Sequence, residues 1–166
     1  YGSATSTQGS AEPITANSQS ATPAIYLQHT LAQLVFRIQN ATDRPADAVY
    51  DYVKSVHLTA EGGATPFLTG TSGAMALSDG TLSGLSASGK LTFTPSANPQ
   101  KIGTTGAVTV AYGLVAPKTA AASSARVTLT LRLGEAGLGN TATERELTLT
   151  TDVFNQAWNR GNQYIY

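Results

Sequence analysis

The sequence Arg126-Val-Thr-Leu-Thr-Leu-Arg-Leu133 alternates strictly between polar and apolar residues. Successive side chains of a β-strand point to opposite faces, so this alternation predicts a strand with one buried face. Residues 107–115 alternate in the same way, with Val108, Val110 and Tyr112 at every second position. The two stretches are therefore predicted to be antiparallel neighbours in one sheet.

Further short stretches of this kind extend along the chain from residue 25 to its end. We predict strands at residues 25–27, 31–38, 52–59, 67–68, 90–95, 144–150 and 162–166, with one or two more between residues 70 and 89. Leu31 is out of phase with Leu34, which indicates a bulge near residues 32–33 or a change of face. Asp79-Gly80 is a hairpin signal, and Asp152 is placed to cap a single helical turn.

These patterns together predict an all-β protein. Many short strands, with turn signals roughly every 8–12 residues, are typical of a two-sheet antiparallel β-sandwich with a Greek-key-like order. Residues 1–23 are rich in Ser, Thr, Gly and Ala. They have too few large apolar side chains to offset the entropy cost of ordering, so we expect a flexible arm or the end of a preceding region. Residues 24–166 are the predicted sandwich domain.

Composition narrows the classes of function. Only 12% of the 166 residues are charged, and ten basic residues balance ten acidic ones. No positive field is therefore available for a nucleic acid. The absence of cysteine excludes disulfides and thiolate metal sites, and no apolar run is long enough for a membrane-spanning helix. The chain opens without Met or a signal peptide, so we expect a mature, processed or truncated product.

Several residue types that carry chemistry have a simpler explanation here. His29 and His57 lack a second ligand at metal-binding spacing on the same strand face, which favours structural histidines and no metal. Glu144 and Glu146 share one strand face, and a solvated edge is commoner than a glycosidase pair, which needs a cleft. The serines that precede glycine do not form a nucleophile elbow before a helix and are interpreted as turn residues.

The sequence therefore predicts no catalytic residue and no cofactor. Trp158, Tyr164 and Tyr166 could stack on sugar rings, but we favour the interpretation that they close one end of the core. The remaining source of function is the backbone. A sandwich of short strands has edges, and an open edge offers N–H and C=O groups to a strand from another chain.

Five segments, in order, resemble the fimbrillin family, the pilin-like subunits and surface adhesins of gut and oral Gram-negative anaerobes. The segments are Leu27-Gln-His29-Thr-Leu31-Ala32-Gln-Leu34-Val35-Phe36-Arg-Ile38, similar to the family's His-x-Leu-Ala-x-Leu-x-Phe strand; Val53 to Leu58 followed by Glu61-Gly62; Leu91-Thr-Phe93-Thr-Pro95; Val108 to Pro117; and Trp158-x-x-Gly161-x-x-Tyr164-x-Tyr166. The last resembles the family's Gly-x-x-Tyr-x-Tyr signature. The resemblance spans about residues 27–166.

The resemblance implies a transthyretin-like sandwich, export to the cell surface with outer-membrane anchoring before processing, and assembly into fimbriae by strand exchange. The implied partners are other copies of the chain or related pilin subunits. The expected assembly residues are Trp158, Gly161, Tyr164, Ile165 and Tyr166. The alternative is a sandwich module that binds a host glycan or protein through its loops or near Trp158.

Overall fold

The computed structural model describes residues 2–3, 26–39, 52–70, 72–95, 100–103, 105–119, 127–134 and 145–166, and strands make up more than half of them. The strands are β1 Gly2–Ser3, β2 Tyr26–Leu27, β3 Ala32–Ile38, β4 Tyr52–Ala60, β5 Phe67–Thr69, β6 Ala74–Met75, β7 Leu82–Ser83, β8 Ser86–Ser88, β9 Lys90–Phe93, β10 Gln100–Lys101, β11 Val108–Val115, β12 Val127–Gly134, β13 Arg145–Thr151 and β14 Gln163–Ile165. Two 3₁₀ turns lie at Glu61–Gly63 and Val153–Asn155. The all-β prediction is confirmed at this level: several small antiparallel sheets make up the protein.

The larger sheet is built around β4. One edge of β4 pairs with β12, which pairs in turn with β13. The other edge of β4 pairs with both β9 and β10, at different positions along β4. The prediction that β12 and β11 are neighbours is therefore wrong, since β11 lies in a different sheet. Alternation identifies the buried face of a strand, but both strands of any antiparallel pair carry the same pattern, so it does not identify the partner.

The second sheet has β3 at its centre. β11 pairs with β3 antiparallel, and β14 pairs with the other edge of β3 in parallel. The pairing of β3 is regular at residues 32–33, so the predicted bulge is not there; Leu31 is a bend before the strand begins. The register shift lies instead on β11, between Thr109 and Ala111.

Both larger sheets contribute to one hydrophobic cluster. Its buried members are Ala32, Leu34, Phe36, Val53, Val56, Leu58, Ala60, Phe67, Phe93, Ile102, Val110, Ala111, Val115, Phe154 and Trp158. Val53 and Val56 are both buried although three residues apart, because the pairing with β12 skips Lys54. An extra residue in one strand returns the chain to the same face. Val56 and Leu58 face the core and His57 does not, as predicted.

Two small two-stranded sheets are formed between residues 67 and 88, and the inner one is a hairpin. β5 pairs with β8 and β6 pairs with β7, and Asp79-Gly80 lies in the turn of the β6–β7 hairpin, as predicted. The backbone N–H of Thr81 donates to the Asp79 carboxylate at 2.8 Å, and this bond is the main reason that the pKa of Asp79 is lowered. Gly80 has φ 70°, a conformation that favours glycine.

Two further predictions concern the turn after β13 and the arm at the start of the chain. The helical turn expected after Asp152 is a 3₁₀ turn at Val153–Asn155, and Asp152 makes no side-chain capping bond; the Thr151 hydroxyl accepts from the N–H of Val153 instead. The arm predicted at residues 1–23 lies almost wholly outside the described residues, apart from Gly2–Ser3, which pair with Tyr26–Leu27.

Gly113 allows β11 to approach a buried aromatic ring. A Cβ atom at this position would lie 2.8 Å from Cδ1 of Phe93, whose ring centroid lies 4.9 Å from that of Phe36. Because that ring is buried and cannot move aside freely, we expect Gly113→Ala to lower the free energy of unfolding by about 1–3 kcal/mol. Urea denaturation measures this change. Gly106→Ala is the control, since no atom lies within 4 Å of its Cβ position; equal stability of the two variants would contradict the prediction.

Candidate functional site

The residues predicted to mediate assembly all lie in the last segment of the chain, which follows β13. Trp158 is only 1% exposed and belongs to the hydrophobic cluster. Its indole stacks on Phe67 with ring centroids 5.7 Å apart and an interplanar angle of 5°. The interpretation that Trp158 closes the core is confirmed. A buried indole cannot stack on a sugar, which counts against a glycan site at Trp158.

Polar contacts as well as packing hold Trp158 in place. The indole Nε1–H donates to the Tyr166 hydroxyl at 3.0 Å. The backbone of Trp158 exchanges two hydrogen bonds with Lys118, at 2.9 and 3.1 Å. The Lys118 ammonium lies 4.6 Å from the centroid of the indole ring, which is cation–π distance, and donates to the Gln156 carbonyl at 2.7 Å. The indole is thus held by the end of the chain and by the segment after β11.

The two tyrosines of the Tyr-x-Tyr signature both turn back onto this segment. The ring of Tyr166 lies 4.5 Å from Phe154 and 6.0 Å from Phe36, measured between centroids. Its hydroxyl accepts a second hydrogen bond, from the Gln156 side chain, at 2.8 Å. The Tyr164 hydroxyl accepts from the backbone N–H of Asn159 at 2.8 Å. The signature therefore anchors the last strand to its own domain.

Gly161 forms the turn that leads into β14. Its φ is 71°, in the left-handed region that glycine adopts without strain. Its N–H donates to the Leu31 carbonyl at 2.9 Å, which places the turn beside the start of β3. A side chain at this position would be strained by the backbone conformation. The role of Gly161 is therefore to set the direction in which β14 runs.

β14 uses only one of its edges within the described part of the chain. The Asn162 carbonyl accepts from the backbone N–H of Gln33, and Tyr166 both donates to the Val35 carbonyl and accepts from the N–H of Arg37. In a parallel ladder, alternate residues of a strand bond to the same neighbour. The N–H and C=O groups of Gln163 and Ile165 therefore point away from β3, and no described strand pairs with that edge. The Ile165 side chain is 58% exposed.

The half-buried position of Lys118 gives a testable pH dependence. Burial lowers the pKa of its ammonium below the ordinary value of 10.5. Between the lowered pKa and 10.5 the unfolded state binds more protons than the folded state, so the free energy of unfolding rises with pH across that window. Below the window Lys118 is charged in both states and contributes no slope. We expect Lys118→Met to remove this rise.

Urea denaturation at a series of pH values up to 10.5, the upper end of the window, measures the rise. Lys90→Met is the matched control, because Lys90 is an exposed lysine on β9. We expect that variant to follow the wild type. If Lys118→Met kept the full alkaline increase, another group would be responsible.

One polar cluster escaped the sequence analysis. His57 contacts the Ser55 hydroxyl through Nε2 at 2.8 Å and the Thr92 hydroxyl through Nδ1 at 3.0 Å. The arrangement has the order of a catalytic triad, but a neutral threonine does not stabilise an imidazolium as a carboxylate does. We interpret the cluster as structural. The signal in the sequence that could have revealed this cluster is a serine two residues before a histidine, because both side chains then lie on the same face of the strand.

The other candidate residues are dispersed. His29 and Glu146 are exposed, and Glu144 lies outside the described residues. Among the residues that the structure describes, no group of three or more His, Cys, Asp or Glu could hold a metal ion. No helix in the described ranges is both long and apolar enough to cross a membrane.

Comparison of the chain with models of known protein families, with curated proteins and with solved structures finds no match.

Proposed function

We propose that this chain is a fimbrillin-like structural protein of the cell surface, a pilus subunit or adhesin that assembles by strand exchange between copies of itself or related subunits. In this proposal the two larger sheets are the layers of a transthyretin-like antiparallel sandwich. The shared hydrophobic cluster, to which strands of both sheets contribute, supports that arrangement. Export and outer-membrane anchoring before processing rest on the sequence resemblance alone.

One edge of β14 pairs with no other strand among the described residues, and this open edge is the observation that carries the proposal. The backbone groups of Gln163 and Ile165 face away from β3, and an unpaired strand edge is a template for another strand. Main-chain hydrogen bonds supply affinity in such a contact, and pockets for alternate side chains supply register. No reactive side chain is required, so the proposal treats the protein as a structural component and not as an enzyme.

An apolar row on the outer face of the same sheet would give an added strand its register. Tyr112, Val35 and Ile165 lie opposite one another on β11, β3 and β14. Tyr112 and Ile165 are exposed at the two ends of the row, whereas Val35 between them is buried. An incoming strand with an apolar side chain beside Ile165 would extend the row. Full burial of one such side chain contributes about 1.5–3 kcal/mol.

Ile165→Pro tests this edge directly. Proline removes the N–H that points away from β3 and blocks the approach of a further strand. It removes no hydrogen bond to β3, because the neighbouring residues Tyr164 and Tyr166 face that strand. We expect the wild-type protein to self-associate and the variant to do so at least about tenfold more weakly. Sedimentation velocity over a range of concentrations measures the association.

Ile165→Ala is the matched control. It keeps the backbone donor and removes only the exposed side chain, so we expect it to retain more association than the proline variant. Equal thermal stability of Ile165→Pro and the wild type would show that the β14–β3 pairing is intact. A wild-type protein that remains monomeric at high concentration, or a proline variant that associates normally, would overturn the proposal.

A further inference from the structure

A groove crosses the outer face of the three-stranded sheet near the start of β3. Its floor is a row of three side chains, one from each strand: Leu114 of β11, Gln33 of β3 and Gln163 of β14. The groove has a volume of about 420 Å³, within the range of roughly 300–1,000 Å³ that is typical of small-molecule sites. It lies on the face of the sheet and is distinct from the open backbone edge of β14.

Two contacts between distant parts of the chain hold the walls of the groove. The Thr30 hydroxyl donates to the Met75 thioether at 2.9 Å, which joins the segment before β3 to the β6–β7 hairpin. The guanidinium of Arg160 donates to the Asp79 carbonyl at 2.7 Å and fixes the turn of the same hairpin. These contacts between segments of the chain brace the groove, so little binding energy is needed to organise it.

Four of the six polar side chains that line the groove are carboxamides. The Gln163 amide nitrogen donates to the Gln33 carboxamide oxygen at 2.7 Å. This contact uses neither the oxygen of Gln163, an acceptor, nor the nitrogen of Gln33, a donor. Gln28 and Asn162 add two further carboxamides to the lining. Each such side chain both donates and accepts hydrogen bonds.

Charge is absent from this lining. Among the described residues that form the groove there is no Asp, Glu, Lys or Arg, and His29 is the titratable one. A charged ligand would lose hydration without gaining a counter-charge, so the groove favours a neutral ligand. Leu31, Met75 and Leu114 supply an apolar surface beside the carboxamides. The ligand must therefore combine an amide-like donor and acceptor with a small apolar group.

We propose that this groove binds an uncharged sugar bearing an acetamido group. The acetamido N–H would donate to the Gln163 oxygen, and its methyl group would contact the apolar part of the groove lining. An extended peptide fits less well, because the backbone groups of β3 beneath the groove are used by β11 and β14 on either side. A peptide would therefore have only side chains to bind.

Titration of the ¹⁵N-labelled protein with N,N′-diacetylchitobiose, followed by NMR, tests the site. We expect saturable shifts of the side-chain NH₂ signals of Gln33 and Gln163, with a dissociation constant of about 1 mM. Gln163→Met should weaken binding at least about tenfold. Gln100→Met, on β10, should leave it unchanged. Absence of shifts up to about 10 mM ligand would overturn the proposal.

Two further ligands separate the chemical alternatives. Cellobiose, which lacks the acetamido group, should bind at least about tenfold more weakly; equal binding would contradict the role of that group. N-acetylalanine N-methylamide, a peptide mimic, carries an acetamido group but no sugar ring, so it should also bind more weakly; equal or tighter binding would favour a peptide ligand. Ile165→Pro should bind the sugar normally, so failure of strand exchange and failure of the sugar site can be distinguished.

Discussion

Trp158→Ala is expected to lower the free energy of unfolding by about 3–5 kcal/mol, the usual cost of truncating a buried aromatic residue. The indole is 1% exposed, so its removal leaves a cavity. Phe67 loses the ring on which it stacks, at 5.7 Å, and the Tyr166 hydroxyl loses a donor at 3.0 Å. Since a domain of this size is stable by about 5–15 kcal/mol, the variant would be marginally folded.

Urea denaturation followed by circular dichroism measures this loss. Val153→Ala is the control, because Val153 lies in the same segment but is exposed; we expect it to change stability by no more than about 0.5 kcal/mol. A loss below about 1 kcal/mol for Trp158→Ala would mean that the indole does not complete the core.

Substitutions of Tyr166 separate the contribution of its ring from that of its hydroxyl. Tyr166→Ala removes a ring that contacts Phe36 and Phe154 and should cost about 3 kcal/mol, the low end for an aromatic truncation because Tyr166 is only partly buried. Tyr166→Phe keeps the ring but leaves the Trp158 N–H without its acceptor. Leaving a buried donor unsatisfied costs about 1–3 kcal/mol, so this variant should be the milder of the two.

Equilibrium unfolding of both variants gives the comparison, and the double variant with Trp158→Phe gives the control. Phenylalanine has no N–H to satisfy, so in that background Tyr166→Phe should cost less than in the wild type. Equal costs in the two backgrounds would contradict the assigned hydrogen bond. If Tyr166→Phe were less stable than Tyr166→Ala, this would contradict the expectation that the ring contributes more to stability than the hydroxyl does.

The alternation of polar and apolar residues predicted the positions of most strands but not which strands pair with each other. Residues 107–115 and 126–133 were predicted as strands and occur as β11 and β12, because alternation follows directly from the geometry of an extended chain. Their pairing was predicted incorrectly. β12 lies between β4 and β13, and β11 lies beside β3. Partner choice depends on packing among distant residues, which one-dimensional periodicity does not encode.

The same limit applies to the candidate site. The run from Trp158 to Tyr166 was recognisable because its large aromatic residues recur around a glycine. Lys118 was not, because nothing in the sequence around it indicates that its ammonium lies over an indole forty residues later. The carboxamide groove was equally hidden, since Gln33 and Gln163 are brought together only by the parallel pairing of β14 with β3.

The pairing of β14 with β3 has a consequence for folding kinetics. Gln33 and Gln163 are separated by 130 residues, so the second sheet cannot be completed until a very long loop has closed. Topologies dominated by such distant contacts fold in roughly milliseconds to seconds, far more slowly than proteins built from local contacts. During that delay one side of β3 remains uncovered. A strand from another molecule then competes with the chain's own last strand, and the outcome depends on which of them arrives first.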